Sequence, residues 1–235
     1  HPVMGEYLRL AAHLGCSRLT RTMELATSPQ NESELDSSLA RHRNQHLATT
    51  DKSRAATSTH RQTYVALNPG GAYGAAKHWP AAHFAELARR IAVELGRNVL
   101  VLCGPAEREM AREIAARANH PSVTSLADAR LSIGLTKSAV RHADLLVTTD
   151  SGPRHFAPPF QVPVVTLFGP THIEWSENFA ENAVNLQITV ESGLWQQRRG
   201  PLRHHHCRTE LRVEYVFAAV VSLLDSAERR TAISA

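Results

Sequence analysis

The stretch DLLVTTDSGPRHF, residues 144–156, decides the fold of this chain. Its first half is a run of apolar and β-branched residues without alternation, which is typical of a strand buried on both faces of a sheet. An acid, a hydroxyl, a glycine and a proline follow at once, and proline is favoured in the first turn of a helix. The stretch therefore predicts a buried strand that ends at a polar turn and leads into a short helix.

The same strand-then-helix unit recurs on both sides of this stretch. Further strands are predicted at 63–68, 98–104, 122–126, 162–169 and 183–190, and helices at 80–96, 106–118, 132–143 and 213–227. Pro80 and Gly96 mark the ends of one helix, and Ser132 is the predicted cap of another. Alternating strands and helices of 10 to 15 residues indicate βαβ units. The sequence thus predicts an α/β fold: a Rossmann-like parallel sheet with helices on both faces, over residues 63–228.

The remainder of the chain divides by composition. Residues 6–15, EYLRLAAHLG, have helical apolar spacing and a closing glycine, within a first segment at 1–16. Residues 17–62 are rich in Ser, Thr, Asn, Arg and His, which predicts a polar linker that buries little surface. Residues 229–235 are predicted to be a tail.

Bulk composition limits the class of protein. The 235 residues carry a net charge of +4 with a pI of about 9.3, and 43% are hydrophobic. Such a chain is globular, and its mild basicity fits either an anionic ligand or an ordinary arginine-rich surface, but not nucleic-acid binding. The three cysteines are odd in number and far apart, which predicts no disulfide framework and a reducing cytoplasm.

The sequence predicts neither a membrane-spanning helix nor a signal peptide. No apolar run approaches the roughly 18 residues of a spanning helix, so no transmembrane segment is predicted. The opening HPVMGEYLRL lacks the basic and apolar regions of a signal peptide and does not begin with Met. It reads as the middle of a longer chain.

Four loops with small or polar residues follow predicted strands. They are NPGGAYGAAK after the first, GPAERE after the second, TDSGPRH after the fourth and FGPTHIEW after the fifth. Ligands of open parallel sheets bind beyond the carboxyl ends of the strands. We therefore expect these loops to form one site.

The first loop contains Gly70 and Gly71 and ends at Lys77. Backbone N–H groups exposed by glycines bind phosphate, and a lysine neutralises its charge. The loop is not a P-loop, because Lys77 lies three residues after Gly74 and is followed by histidine. A flexible turn with an exposed lysine is the alternative interpretation.

In the fourth-strand loop, Asp150 is expected to accept hydrogen bonds from sugar hydroxyls, and His155 to donate to phosphate. Ser151 or Gly152 would cap a helix whose free N–H groups attract an anion. A capped helix with a surface histidine is the alternative, and a serine hydrolase is disfavoured because the GxSxG elbow is absent.

Three other features have two interpretations each. Thr171 either caps the next helix or contacts a phosphate. Glu107 and Glu109 open a helix, where the helix dipole alone favours acidic residues. A purely structural role is therefore the alternative to a contact with the ligand. RHHHC, residues 203–207, invites a metal site, but adjacent histidines do not have the usual ligand spacing, so no metal is predicted.

Taken in order, LNPGGAYGAAKHWPAAHFAELARRI, VLCGPAERE, HADLLVTTDSGPRHF and VPVVTLFGPTHIEW resemble the heptosyltransferases of glycosyltransferase family 9. The resemblance spans nearly all of residues 63–178. It implies the GT-B architecture of two Rossmann-like domains, of which this chain matches the C-terminal, donor-binding one. The general base of the family lies in the N-terminal domain, so the resemblance implies no catalytic base here and an inactive fragment.

The resemblance also implies roles for particular residues. The expected donor-binding residues are Gly70, Gly71, Lys77, Glu107, Glu109, Leu131, Asp150, Ser151, Gly152, His155 and Thr171. Either Glu107 or Glu109 would contact the ribose, and Leu131 would contact the adenine. Lys77 and His155 would stabilise the departing diphosphate without a metal or other cofactor.

The resemblance further implies the substrates and the location. The donor is ADP-heptose, and the acceptor is the lipid A–Kdo inner core of lipopolysaccharide at the membrane surface. The reaction inverts the anomeric carbon. The protein would be cytoplasmic, peripheral at the inner face of the inner membrane.

The chain departs from the family pattern at two places. Relatives have a cysteine-rich segment where GLWQQRRGPLRHHHCRTEL retains only Cys207. Pro158 and Pro159 stand where relatives have alanines, about five residues into the predicted helix. A proline there costs roughly 3 kcal/mol or more.

Overall fold

The chain forms a six-stranded parallel sheet flanked by helices, in a computed structural model that describes residues 2–47, 63–71, 79–169, 173–177, 180, 182–187 and 211–233. The strands are β1 (Tyr64–Asn68), β2 (Asn98–Val101), β3 (Val123–Ser125), β4 (Leu145–Thr149), β5 (Val164–Phe168) and β6 (Ala183–Gln187). The helices are α1 (Val3–His13), α2 (Pro29–Leu47), α3 (Ala81–Glu94), α4 (Arg108–Ala118), α5 (Ile133–Arg141) and α6 (Val213–Ile233). Short 3₁₀ turns lie at Pro105–Glu107, Gly152–Phe156, Pro158–Phe160 and Ile173–Ser176.

The order of the strands creates a crevice at the centre of the sheet. The order is β3-β2-β1-β4-β5-β6, so the chain leaves β1 in one direction and β4 in the other. Asn68 at the end of β1 lies opposite Thr148 of β4. Ligands of such sheets bind where the winding reverses, beyond the carboxyl ends of the strands. The loops after β1 and β4 are therefore the central pair at that edge.

The sheet separates two hydrophobic cores. Along β1, Val65 and Leu67 face a core formed with α3, α4 and α6, whereas Tyr64 and Ala66 face a core formed with α2 and α5. Because successive side chains of a strand point to opposite faces, a strand buried on both faces must be apolar throughout. The predicted α/β fold with helices on both faces of a parallel sheet is confirmed.

Part of the predicted linker is a packed helix. Within residues 17–62, α2 lies against α5 and buries Leu35 fully and Ser38 almost fully. The Glu32 carboxylate meets the His142 ring, with Oε2 2.6 Å from Nε2. Residues 29–47 are thus a helix packed on α5 and not an irregular linker, although only Leu35 and Ser38 are buried among its described side chains. The division of the chain into domains stays a prediction.

α2 and α5 approach closely at a glycine. A Cβ added at Gly134 would lie 2.2 Å from the Asn31 side-chain nitrogen. A larger residue at position 134 would therefore require the Asn31 side chain to move.

Two predictions about turns and ends are also wrong. Pro158 does not interrupt a helix, because the segment after Asp150 is two 3₁₀ turns and Pro158 is the first residue of the second. Proline is tolerated at that position, where its missing N–H has no partner to lose. α6 continues to Ile233, so residues 229–233 are helical and not a tail.

In the described part of the chain, no helix is both long enough and apolar enough to cross a membrane.

Candidate functional site

One carboxylate ties together the loops that follow β1 and β2. Glu107 accepts the Gly71 backbone N–H at Oε1 (3.0 Å) and the Gly104 backbone N–H at Oε2 (2.7 Å). Gly104 lies three residues before Glu107, so the second bond is the backward half of a capping box. Glu107 is half-buried at this edge of the sheet. Its carboxylate fixes the start of the glycine loop against the neighbouring turn.

Gly70 lies directly against this carboxylate. A Cβ at Gly70 would lie 2.2 Å from the Glu107 carboxylate, well inside van der Waals contact. The Gly70 carbonyl also accepts a hydrogen bond from the Thr149 hydroxyl at the end of β4. The glycine loop is thus held between β2 and β4 before it enters residues 72–78, which lie outside the described residues.

A buried amide joins β1 to the loop after β4. The Asn68 Nδ2 group donates to Thr148 Oγ1 and to Ser151 Oγ, each at 2.9 Å. The Thr149 and Ser151 hydroxyls lie 3.3 Å apart. Asn68, Thr148 and Thr149 are not among the site residues predicted from the sequence. Their signal was present, since a polar residue that ends an otherwise apolar buried strand requires a buried hydrogen-bond partner.

Asp150 and His155 lie on either side of a buried arginine. The Arg154 side chain is 1% exposed, and its Nη1 lies 3.8 Å from Asp150 Oδ1. His155 is exposed at the surface, yet surrounding protein atoms desolvate its ring and lower the pKa of the imidazole, with Arg154 adding to the decrease and Asp150 opposing it. His155 is therefore neutral at pH 7 and donates one N–H.

The structure separates the two candidate glutamates. Glu107 lies at the loops, whereas the Glu109 side chain is 88% exposed and pairs with Arg112, which also pairs with Asp128. Glu109 is therefore not brought to the site. Leu131 is half-buried immediately before Ser132, whose hydroxyl caps α5 by accepting the Leu135 N–H at 3.0 Å.

Of the three remaining predicted donor-binding residues, Gly152, Lys77 and Thr171, the structure describes only Gly152. Gly152 is exposed, and no described atom comes within 4 Å of a Cβ placed there. Lys77 and Thr171 lie outside the described residues, as does RHHHC at 203–207. The predicted helix N-terminus after Asp150 is a five-residue 3₁₀ turn, so a helix dipole does not contribute there.

A buried tryptophan anchors the far side of the glycine loop. Trp79 is 1% exposed, packs edge-on against Phe84 with ring centroids 4.9 Å apart, and donates its indole N–H to the Leu211 carbonyl (2.8 Å). Gly71 and Trp79, the described residues nearest to the loop, are therefore each held by a hydrogen bond to a distant part of the chain.

Carboxylates and hydroxyls meet at this edge of the sheet, and such groups can exchange hydrogen bonds with a polar ligand. Among the described ranges, no group of three or more His, Cys, Asp or Glu side chains is arranged to hold a metal ion.

Proteins of similar sequence belong to one family. The sequence model of glycosyltransferase family 9 (heptosyltransferase) matches residues 8–204. Lipooligosaccharide heptosyltransferase 2 of Campylobacter jejuni serotype O:2 is 30% identical over 164 residues, which are 68% of this chain and 50% of that protein. Lipopolysaccharide heptosyltransferase 2 of Salmonella typhimurium is 28% identical over 171 residues, 68% of this chain and 46% of that protein. The chain thus spans about half the length of the curated relatives it matches.

Solved structures share the fold. Escherichia coli ADP-heptose lps heptosyltransferase II superposes with a TM-score of 0.64 at 22% identity, over 87% of this chain and 54% of that one. The glycosyl transferase family 9 protein of Veillonella parvula gives a TM-score of 0.68 at 20% identity, over 94% and 59%. With a family match over most of its length, this chain belongs to glycosyltransferase family 9, the heptosyltransferases.

Proposed function

We propose that this chain is the donor-binding half of a heptosyltransferase that moves heptose from ADP-L-glycero-D-manno-heptose to the inner core of lipopolysaccharide. The observation that carries the proposal is the joined set of loops at the switch point, where Glu107 links Gly71 to Gly104 and the Thr149 hydroxyl contacts both Gly70 and Ser151. Membership of glycosyltransferase family 9 supports the reaction class. The curated relatives named above are lipooligosaccharide and lipopolysaccharide heptosyltransferases, which supports the acceptor class.

The proposed mechanism uses this chain to bind the donor and to stabilise the leaving group. An acceptor hydroxyl attacks the anomeric carbon, the bond to the diphosphate breaks, and ADP departs as an anion while the anomeric centre inverts. Lys77 and the His155 N–H would balance the growing negative charge. Asp150 would accept hydrogen bonds from the heptose. The general base would belong to an N-terminal half, so this chain alone would not turn over.

Glu107 has spare capacity to bind the donor as well. Each of its carboxylate oxygens accepts one backbone N–H, and a carboxylate oxygen has two lone-pair sites. A ribose hydroxyl can therefore donate to Glu107 without breaking either loop contact. Leu131 would provide an apolar surface for the adenine at the start of α5.

The setting of the reaction is part of the same proposal. The acceptor would be the lipid A–Kdo inner core, reached by a cytoplasmic protein that works at the inner face of the inner membrane. No nucleic acid and no metal would take part, so a chelator would leave donor binding unchanged.

Calorimetric titration of the chain with ADP-heptose, UDP-sugars and GDP-sugars tests the donor assignment. We expect ADP-heptose to bind more tightly than the others, and Lys77→Ala to weaken its binding at least tenfold, about 1.4 kcal/mol or more. Lys137→Ala is the matched control, because the Lys137 amine binds the Ala26 carbonyl between α5 and the segment before α2, away from the loops. Unchanged affinity in Lys77→Ala would refute that role.

The same titration separates the alternatives. Tighter binding of a UDP- or GDP-sugar would indicate another GT-B enzyme. Tight ADP-heptose binding without transfer in a protein that contains both halves would indicate a non-catalytic nucleotide-sugar-binding fragment.

A further inference from the structure

A buried arginine lies behind the loop that follows β4. Among the described residues, Arg154 is the only charged residue that is buried, with 1% of its surface exposed. It belongs to the 3₁₀ turn at Gly152–Phe156, between the two expected donor contacts Ser151 and His155. The turn after β4 therefore carries a buried positive charge between two of the expected donor contacts.

The contacts of Arg154 include one with Asp150 and two with β5. Its Nε donates to Thr166 Oγ1 on β5 (3.3 Å), and Nη1 lies 3.8 Å from Asp150 Oδ1. Its guanidinium carbon lies 4.9 Å from the centre of the Phe168 ring, at the end of the same strand. One side chain thus links the Asp150 carboxylate to the carboxyl end of β5.

Burial of this charge is costly. Desolvation lowers the pKa of the Arg154 guanidinium, while the negative charges of Asp150 and Glu177 oppose that decrease. A buried ion pair contributes little net stability, and replacing both of its members by apolar side chains of similar volume is often neutral. The ion pair of Arg154 with Asp150 is therefore weak evidence for a role in stability alone.

We propose that Arg154 is a positioning residue of the donor site, which holds Asp150 and the turn carrying Ser151 and His155 in register with the end of β5. This inference rests on the proposed function. Arg154 is too buried to touch a donor itself, so it acts through Asp150 and through its field on the exposed edge. A planar guanidinium suits this role because it directs separate N–H groups at a carboxylate and a hydroxyl.

The imidazole of His155 reports the field of Arg154 without any ligand. The charge of Arg154 is one cause of the low pKa of His155, after desolvation and against the opposing charge of Asp150. A substitution that removes only the charge of Arg154 must therefore raise the pKa of His155.

The test compares Arg154→Met with Arg112→Met, which removes the same charge from an exposed ion pair on α4. The His155 ring is titrated by NMR in each variant and assigned from the spectrum of His155→Gln. We expect Arg154→Met to raise the pKa of His155 and to weaken ADP binding at least tenfold, and Arg112→Met to change neither. Arg154→Met removes one member of the ion pair with Asp150, so thermal unfolding should show a lower midpoint, and binding and titration are measured at temperatures where the variant is still folded.

Two further variants keep the proposal open to refutation if Arg154→Met does not fold. Arg154→Lys retains the charge but not the fork, so the pKa of His155 stays low while ADP binding weakens about threefold to tenfold. Thr166→Val removes the β5 partner and should weaken ADP binding by a smaller factor. Native ADP affinity in both variants would overturn the proposal, as would native His155 titration together with native affinity in Arg154→Met.

A failure of the proposed donor assignment gives a different result from a failure of the role proposed for Arg154. If the native chain does not bind ADP, the donor assignment fails, and the His155 titration alone still decides whether Arg154 sets the field at this turn.

Discussion

Removal of the Glu107 carboxylate should destabilise the chain far more than removal of Glu109. Glu107 accepts two backbone N–H groups from separate loops, whereas Glu109 pairs at the surface with Arg112. A hydrogen bond to a charged group contributes about 1.5–3 kcal/mol. Because Glu107 is half-buried, the lower figure applies, and two bonds give about 3 kcal/mol for Glu107→Ala. Glu107→Gln retains one carbonyl oxygen and should lose about half of that.

Gly70→Ala should have the same effect by a different route. The new Cβ would lie 2.2 Å from the Glu107 carboxylate and displace it, so that both N–H groups lose their partner. The two substitutions remove the same interaction. The double variant Gly70→Ala/Glu107→Ala should therefore lose about 3 kcal/mol, and not the roughly 6 kcal/mol of independent sites.

Urea unfolding of the single and double variants measures these free energies, with Glu109→Ala as the exposed control. The control should change stability by about 0.5 kcal/mol or less, as surface ion pairs do. ADP affinity should fall in Glu107→Ala and Gly70→Ala, because the glycine loop loses its attachment to the turn after β2. Equal stability of Glu107→Ala and Glu109→Ala, or additive effects at Gly70 and Glu107, would refute the reasoning.

Three further predictions follow from buried groups elsewhere. Burial raises the pKa of the Cys103 thiol to about 11, so iodoacetamide at pH 8 should alkylate it at least tenfold more slowly than exposed Cys16, and fast labelling in the folded chain would contradict this. Gly134→Ala should lower the urea midpoint because its Cβ meets the Asn31 side chain, and Asn31→Ala should restore most of the loss if the close approach is correctly described. Desolvation lowers the pKa of His83 below its ordinary 6.5, so the unfolded chain binds this proton more readily and stability should fall as pH drops below about 6.5. That fall should be smaller in His83→Leu, and an identical pH dependence would exclude His83 as its source.

The sheet was predictable from sequence because its central strands are buried on both faces. Runs such as residues 64–68 and 145–149 have no polar alternation, and each is followed by a polar turn. The edge at which the loops gather follows from the parallel connection alone, before any contact is known. Ser132 was predictable as a cap because a serine before an apolar helical repeat has few other roles.

The features that could not be predicted from the sequence depend on contacts between residues far apart in the chain. Helix α2 has mostly polar residues, and its stability comes from Leu35 and from the pairing of Glu32 with His142 more than a hundred residues away. The burial of Arg154 could not be predicted from the sequence either, because arginine side chains are mostly exposed to solvent. The choice between Glu107 and Glu109 also needed the structure, because both open the same helical segment and only one faces the glycine loop.

The most direct test of the central claim is the location of bound ADP on this chain. In ¹H–¹⁵N NMR spectra of the labelled chain titrated with ADP, we expect the largest shifts at the amides of Gly71, Gly104 and Ser151, where the loops after β1, β2 and β4 meet. Shifts concentrated on α1 or α6 with these amides unmoved, or no shifts at saturating ADP, would contradict a donor site at this edge of the sheet.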